Sequence, residues 1–436
     1  MRREQAAPPP RAGREEFTGR YLVLGKQTHD SGLPKLLQNT AGLRIASASD
    51  FPRGAAQDGG FGGADGIYLD WLGIAIMVSA PDQISILTRG TAANDVVAVE
   101  RERVLFPFNA PRRDTAPSVR PATVGGFGPR SIDTLVCSLL PTFAMLGAPA
   151  MDESQYTWGL VATRVIGSSR TGRGVRVAVL DTGFDLLHPD FVGRNVVAQS
   201  FIQGESAQDG HSHGTHCIGT ALGPERPATL PRYGVAYGAE VYAGKVLANG
   251  GRGSDGAILS AINWAITNRC RVISMSLGSA AQVGQQYSQV FETAAQRALA
   301  ANTLMIAAAG NESDRNNGVI NPVGHPANCP SIMAVGAVDY DMRIAYFSTR
   351  GMNGNGGGVD IAAPGVDVYS TVPPGTYGPK SGTSMACPHV AGIAALWAEA
   401  NPNATAREIW ELLIRNAAPL NIEASDAGAG LAQAPA

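Results

Sequence analysis

Cysteine is scarce in this 436-residue chain, and the five present, Cys137, Cys217, Cys270, Cys329 and Cys387, are odd in number and contain no Cys-x-x-Cys pair. That excludes a disulfide framework and leaves small buried thiols as the expected role of Cys217 and Cys387. Charge of one sign is also scarce. Thirty-four basic residues against 36 acidic ones give a formal net charge of -2, with no basic patch or acidic run, so nucleic acid is not an expected partner. No apolar stretch follows Met1-Arg2-Arg3-Glu4. A secretory leader is therefore not expected, and synthesis in the cytoplasm is, with export by a non-classical route as the alternative. The apolar run from Leu135 to Met151 contains Pro141, Gly147 and Pro149 and is too short for a membrane span. No membrane partner is expected.

What is abundant is glycine, 53 residues, and alanine in helical stretches, a composition that fits a tightly packed α/β enzyme. The length implies two domains or more. Apolar runs at Val175 to Leu180, Glu240 to Val246, Arg271 to Ser276 and Thr303 to Ala308 alternate with helical stretches such as Ala257 to Asn268, and further runs follow at Ile332 to Val338 and Val359 to Gly365. The pattern predicts a parallel sheet covered by helices on both faces.

The N-terminal part reads differently. Residues 1–16, with Pro8-Pro9-Pro10, predict a disordered leader. Strand at Tyr21 to Leu24, helix at Gly32 to Ala41, strand at Leu43 to Ala48, strand at Ile67 to Val78, helix at Pro81 to Thr88 and strand at Val96 to Phe106 give a βαββαβ order. That order predicts a smaller ferredoxin-like α+β domain.

Three segments carry chemistry. In Gly382-Thr383-Ser384-Met385-Ala386-Cys387-Pro388-His389, a turn runs into a helix and presents Ser384 where free N–H groups and the helix dipole favour a developing anion. Val177-Ala178-Val179-Leu180-Asp181-Thr182-Gly183 ends a strand in a carboxylate, and catalytic groups in parallel sheets sit at such carboxyl ends. Asp209-Gly210-His211-Ser212-His213-Gly214-Thr215-His216 supplies an imidazole at a helix start. Taken singly, each block also reads as an ordinary cap, turn or loop.

In the order Asp, His, Ser, these blocks resemble those of the subtilisin-like serine proteases. The resemblance implies a subtilisin-like fold over residues 156–420, serine endopeptidase activity on protein or peptide substrates, and a triad of Asp181, His213 and Ser384. His211 and His216 would face elsewhere. Ala307-Ala308-Ala309-Gly310-Asn311-Glu312 resembles the block whose Asn side chain, with the nucleophile's own N–H, binds the oxyanion. Loss of that donor costs about 100- to 1,000-fold in turnover in subtilisin, and Asn311 is expected to behave alike.

The same resemblance implies that substrate pairs as an added strand between Gly251-x-Gly253 and Ser276-Leu277-Gly278. Gly324, in Val323-Gly324-His325-Pro326, would leave the primary pocket open to a sizeable apolar side chain. It further implies that residues 17–108 form a propeptide-like domain acting as an intramolecular inhibitor, that 109–155 is a linker containing a self-processing site, and that 421–436 is a flexible tail.

No cofactor is expected to be required. Calcium is the one the family raises, because Asp190 in His188-Pro189-Asp190 occupies a position that often ligates it. The partner loop, Ala221 to Ala228, lacks the oxygen-rich run a hard cation needs, so Asp190 is expected to be an ordinary hydrogen-bonding residue. No metal is expected at His211-Ser212-His213-Gly214-Thr215-His216 either. That run resembles the His-x-His-x-Asp-His signature of zinc hydrolases but carries Thr215 where a carboxylate is required. Two other readings stand beside the endopeptidase: a catalytically silent scaffold, and a transpeptidase in which a peptide amine resolves the same acyl-enzyme.

Overall fold

The computed structural model describes residues 15–28, 32–52, 61–87, 95–108, 153–354 and 356–436. The linker region 109–152, with the expected processing segment and Cys137, and most of the leader lie outside them.

The N-terminal elements are β1 (Phe17–Gly25), α1 (Leu33–Ala41), β2 (Ile45–Ser47), β3 (Gly66–Leu69), β4 (Ile74–Met77), α2 (Pro81–Leu87) and β5 (Val96–Pro107). Their mixed sheet runs β5-β1-β4-β3-β2. The single strand expected over 67–78 is a hairpin. Asp70 to Gly73 turn the chain so that Leu69 pairs with Ile74, with Gly73 at φ +59° closing the turn. One strand is thereby added to the expected βαββαβ order. Alternation along β1 serves two cores: Val23 packs with Leu33 and Leu37 of α1, whereas Leu22 and Leu24 face the second domain.

That second domain comprises α3 (Trp158–Ala162), β6 (Arg176–Asp181), β7 (Val196–Ser200), α4 (His213–Leu222), β8 (Glu240–Lys245), β9 (Gly253–Ser254), α5 (Asp255–Thr267), β10 (Val272–Met275), β11 (Leu277–Gly278) and α6 (Gln289–Ala300). It continues with β12 (Leu304–Ala308), β13 (Met333–Val338), β14 (Ile361–Pro364), β15 (Val368–Val372), β16 (Thr376–Lys380), α7 (Thr383–Ala400), α8 (Ala406–Arg415) and α9 (Ala424–Ala427). Seven strands, in the order β14-β13-β12-β10-β6-β8-β7, form an all-parallel sheet among the described residues. The strands are apolar on both faces because helices cover both. Val177 and Val179 join Ile218 of α4 and Val390 of α7, while Ala178 and Leu180 join Ile262 of α5 and Phe291 of α6. No helix among the described residues is long and apolar enough to cross a membrane.

The domains share more than a packing face. β5 pairs antiparallel with β1 inside its own domain and with β9 and β11 of the second. Two of its glutamates reach helix starts: Glu100 accepts from Val290 N and Ser288 Oγ at α6 (3.1 and 2.7 Å), and the buried Glu102 accepts from Gly256 N at α5 (2.9 Å). A carboxylate at a helix N-terminus satisfies unpaired N–H groups and complements the dipole.

Residues 421–436, expected as a flexible tail, are tied down instead. Asp426 is buried and accepts from Arg350 Nε (2.8 Å) and from Arg315, and Leu431 bridges to Ala362 and Ala418. A carboxylate between two guanidinium groups is held below the usual range despite the cost of burial.

Candidate active site

Asp181 ends β6, and His213 opens α4 beside it. The approach needs two glycines: Gly183 adopts φ +107°, and a side chain on Gly214 would come within 2.3 Å of Gly183 O. Thr182 Oγ1 accepts from Gly214 N (2.8 Å) and donates to Asp209 (3.0 Å). Asp209 in turn accepts from the backbone N–H groups of His211, Ser212 and Thr215, each at 2.9 Å, and from Thr215 Oγ1 at 2.7 Å. This buried carboxylate organises the whole turn into α4, and sequence reasoning missed it. The result is a 2.8 Å bond between His213 Nδ1 and Asp181 Oδ1. A carboxylate only accepts, so the ring donates from Nδ1 and a neutral imidazole leaves Nε2 bare for a proton.

Ser384 lies in the first turn of α7. Its Oγ is 2.7 Å from Phe108 O and 3.1 Å from Ser276 O, and its carbonyl accepts from Ser276 Oγ at 2.8 Å. Asn311 follows β12. Its Oδ1 accepts from Thr383 N (2.9 Å) and Thr383 Oγ1 (2.8 Å), which fixes the amide so that Nδ2 donates to Phe108 O at 2.8 Å. Gly382, at φ +153°, makes room: a side chain there would lie 2.9 Å from Asn311 Nδ2 and 3.0 Å from Phe108 O.

The last residues of β5 thus fill the cleft. Leu105 and Val104 pair with Gly253 and Ser254, Pro107 and Phe106 pair with Leu277 and Gly278, and Phe108 N donates to Ser276 O at 3.4 Å. The Phe108 ring enters a recess whose walls are Gly278 and Gly324. Side chains on those glycines would approach its Cζ to 2.6 and 3.3 Å. Gly251 stands beside Pro107 and His211. Ser384 and Asn311 thus meet at one carbonyl, that of Phe108, with Gly382 beside it. His213 Nε2, by contrast, has no hydrogen-bond partner among the described residues, and Ser384 Oγ bonds to Phe108 O and Ser276 O instead.

Sequence reasoning missed several neighbours. His211 was expected to face elsewhere, yet its ring centre is 6.3 Å from that of His213. Burial and the neighbouring His213 push its pKa down. Thr182 and Asp209 turn the loop back over the cleft, which spacing alone does not reveal. His216 does point away, with Nε2 2.9 Å from Val368 O and 3.2 Å from Gly378 O, and burial pushes its pKa well down. The three imidazoles therefore do not share a zinc geometry. Cys217 Sγ lies 3.8 Å from His213 Nδ1, and burial raises its thiol pKa well above the ordinary value. A protonated thiol is a poor ligand, and the His213 nitrogen it approaches is committed to Asp181.

At Asp190, the carboxylate accepts from Ala228 N (2.7 Å), Tyr233 Oη (2.5 Å) and Tyr377 Oη (2.9 Å). The adjoining carboxylate pushes both phenol pKa values further up than burial alone would, so they remain donors. Donors rather than oxygen ligands surround this carboxylate, and the residues present do not fit a calcium ion.

Comparison with known proteins bears on the same region. Residues 172–431 match the model of the Subtilase family, Peptidase_S8. Subtilisin E of Bacillus subtilis (strain 168) is 42% identical over 245 residues, 56% of this chain and 60% of that protein. Subtilisin of Bacillus pumilus is 42% identical over 245 residues, covering 83% of its length, and subtilisin BL of Lederbergia lenta is 43% identical over 234 residues, covering 53% of this chain and 79% of that protein. The chain spans about 60% of the length of subtilisin E and of other curated relatives that also match it over 245 residues.

Proposed function

That this chain belongs to the subtilase family is the premise from which we propose a serine endopeptidase, made as a zymogen that cleaves itself after Phe108 and stays inhibited by its N-terminal domain. The observation that carries the proposal is the Phe108 carbonyl, held at 2.7 Å from Ser384 Oγ and 2.8 Å from Asn311 Nδ2 on a strand paired along both edges of the cleft.

In the proposed reaction Ser384 Oγ attacks the Phe108 carbonyl carbon and its proton passes to His213 Nε2. Asp181 keeps Nδ1 protonated and stabilises the imidazolium. The negative charge on the carbonyl oxygen falls between Asn311 Nδ2 and the N–H of Ser384, whose place in the first turn of α7 leaves it without an intrahelical acceptor. Collapse breaks the bond to residue 109, and the leaving amine takes the proton from His213. Water, activated by the same imidazole, then releases the acyl group. The product acid at Phe108 would remain seated, because β5 keeps its pairing with β9 and β11 and Glu100 and Glu102 keep their hold on α6 and α5. The processing site was expected within residues 109–155; the bond proposed here lies just before that segment, at its entry. Substrates in trans would be polypeptides bound as the same added strand, with a large apolar side chain between Gly278 and Gly324.

The purified chain, incubated until its N-terminal fragment is released or degraded, and its Ser384→Ala variant treated alike, are exposed to a fluorophosphonate probe and to casein to test the triad. Labelling and casein hydrolysis in the wild type alone are expected. Equal signals in the variant would remove Ser384 from the mechanism.

A further inference from the structure

Asp255, the first residue of α5, is fully buried, and nothing in the proposed chemistry uses it. Its Oδ1 accepts from His325 Nε2 at 3.0 Å; its Oδ2 accepts from Arg103 N at 2.9 Å and lies 3.4 Å from Arg103 Nη1. His325 is itself buried, packs edge-on against Phe291, and exchanges backbone hydrogen bonds with Ser279 at 2.9 Å each way. One oxygen is thus fixed by the second domain, and the other is turned toward whatever strand fills the cleft. We propose that Asp255, held by His325, is a subsite for a basic side chain on bound polypeptide, reading the residue five places before the one whose carbonyl meets Ser384. This rests on the reading of the cleft given above.

Position is enforced by the backbone. Pairing of Val104 with Ser254 and Leu105 with Gly253 sets the register, so the residue preceding Val104 must pass Asp255. The two bonds at Oδ2 divide the labour. Any residue offers the backbone N–H, but only a cationic side chain adds a charge-assisted contact to a carboxylate that burial has stripped of water. In this chain Arg103 also meets Glu15 and Glu100, at 3.2 and 3.3 Å. Those carboxylates belong to the N-terminal domain and would be absent when another polypeptide occupies the cleft. Asp255 would then be the acidic group left to recognise the cation. His325 follows Gly324, which lies against the Phe108 ring, so the distant subsite and the primary pocket are walls of one segment.

The test uses the full chain, incubated until peptide-cleaving activity appears, and quenched peptides copying residues 101–112 with Arg, Lys, Ala or Glu at the position of Arg103. For the wild type, kcat/KM for the Arg and Lys peptides should exceed that for Ala by about 10-fold, with Glu lowest. In Asp255→Asn the Arg-to-Ala ratio should fall close to one. Equal cleavage of the Arg and Ala peptides by the wild type, or an undiminished ratio in the variant, would overturn the subsite. If no activity appears, the proposed self-processing fails, yet the subsite remains testable in the full chain carrying Ser384→Ala. There, Arg103→Ala should speed amide exchange across residues 96–108 markedly less when Asp255→Asn is also present, and strictly additive effects would contradict it.

Discussion

Glu312 follows Asn311, and its Oε2 is sealed from solvent without a hydrogen-bond partner among the described residues. Burial pushes the carboxyl up to about 7. Between the ordinary carboxylate value and 7 the folded protein holds a proton that the unfolded chain has lost, so stability falls as pH rises through that window and levels off above it. Glu312→Gln should remove the slope, gaining roughly 1–3 kcal/mol relative to the wild type between pH 4.5 and pH 8 in denaturant titrations; parallel curves for the two proteins would refute the assignment. At this scale Asp181, His213, Asn311 and Ser384 were legible because each lies in a local block whose turn chemistry is written in adjacent residues. Asp209, His211, Asp255 and Phe108 were not. Phe108 and Asp255 meet partners far along the chain, as with Arg103 and Asp255, 152 positions apart. Asp209 and His211 instead sit within a few residues of most of theirs, in a turn whose bonds residue type alone does not announce.

At the scale of elements, the alternation of apolar runs and helices foretold the parallel sheet, because strands buried on both faces have no polar positions to blur the signal. The β3–β4 hairpin escaped notice since its turn residues, Asp70 to Gly73, include the apolar Trp71 and Leu72 and so hide within an apolar stretch. The groups that hold the Asp190 carboxylate, Ala228 N, Tyr233 Oη and Tyr377 Oη of β16, are remote from it in sequence. Tyr233→Phe should cost about 2 kcal/mol in thermal unfolding, the range for a hydrogen bond to a charged acceptor. Any shift in Tm on adding calcium should be the same in the wild type and in Asp190→Asn. A shift seen only in the wild type would place a cation at Asp190.

For the whole molecule, β5 is the decisive element, being at once the edge of one domain's sheet and the strand lying in the other's cleft. Two domains joined through a shared strand and two carboxylate-capped helices bring Phe108 O, Asn311 Nδ2 and Ser384 Oγ together more closely than a loose tether would. The presence of a separate N-terminal domain was legible from its element order, but which residue would meet Ser384 was not, because register depends on pairing across the two domains. Intact-mass spectrometry of the full chain over time, beside its Ser384→Ala variant, tests this account most directly. It predicts a single early break between Phe108 and Asn109 in the wild type, with the N-terminal fragment co-purifying, and an uncut variant. A first break elsewhere, or the same break in both proteins, would contradict it.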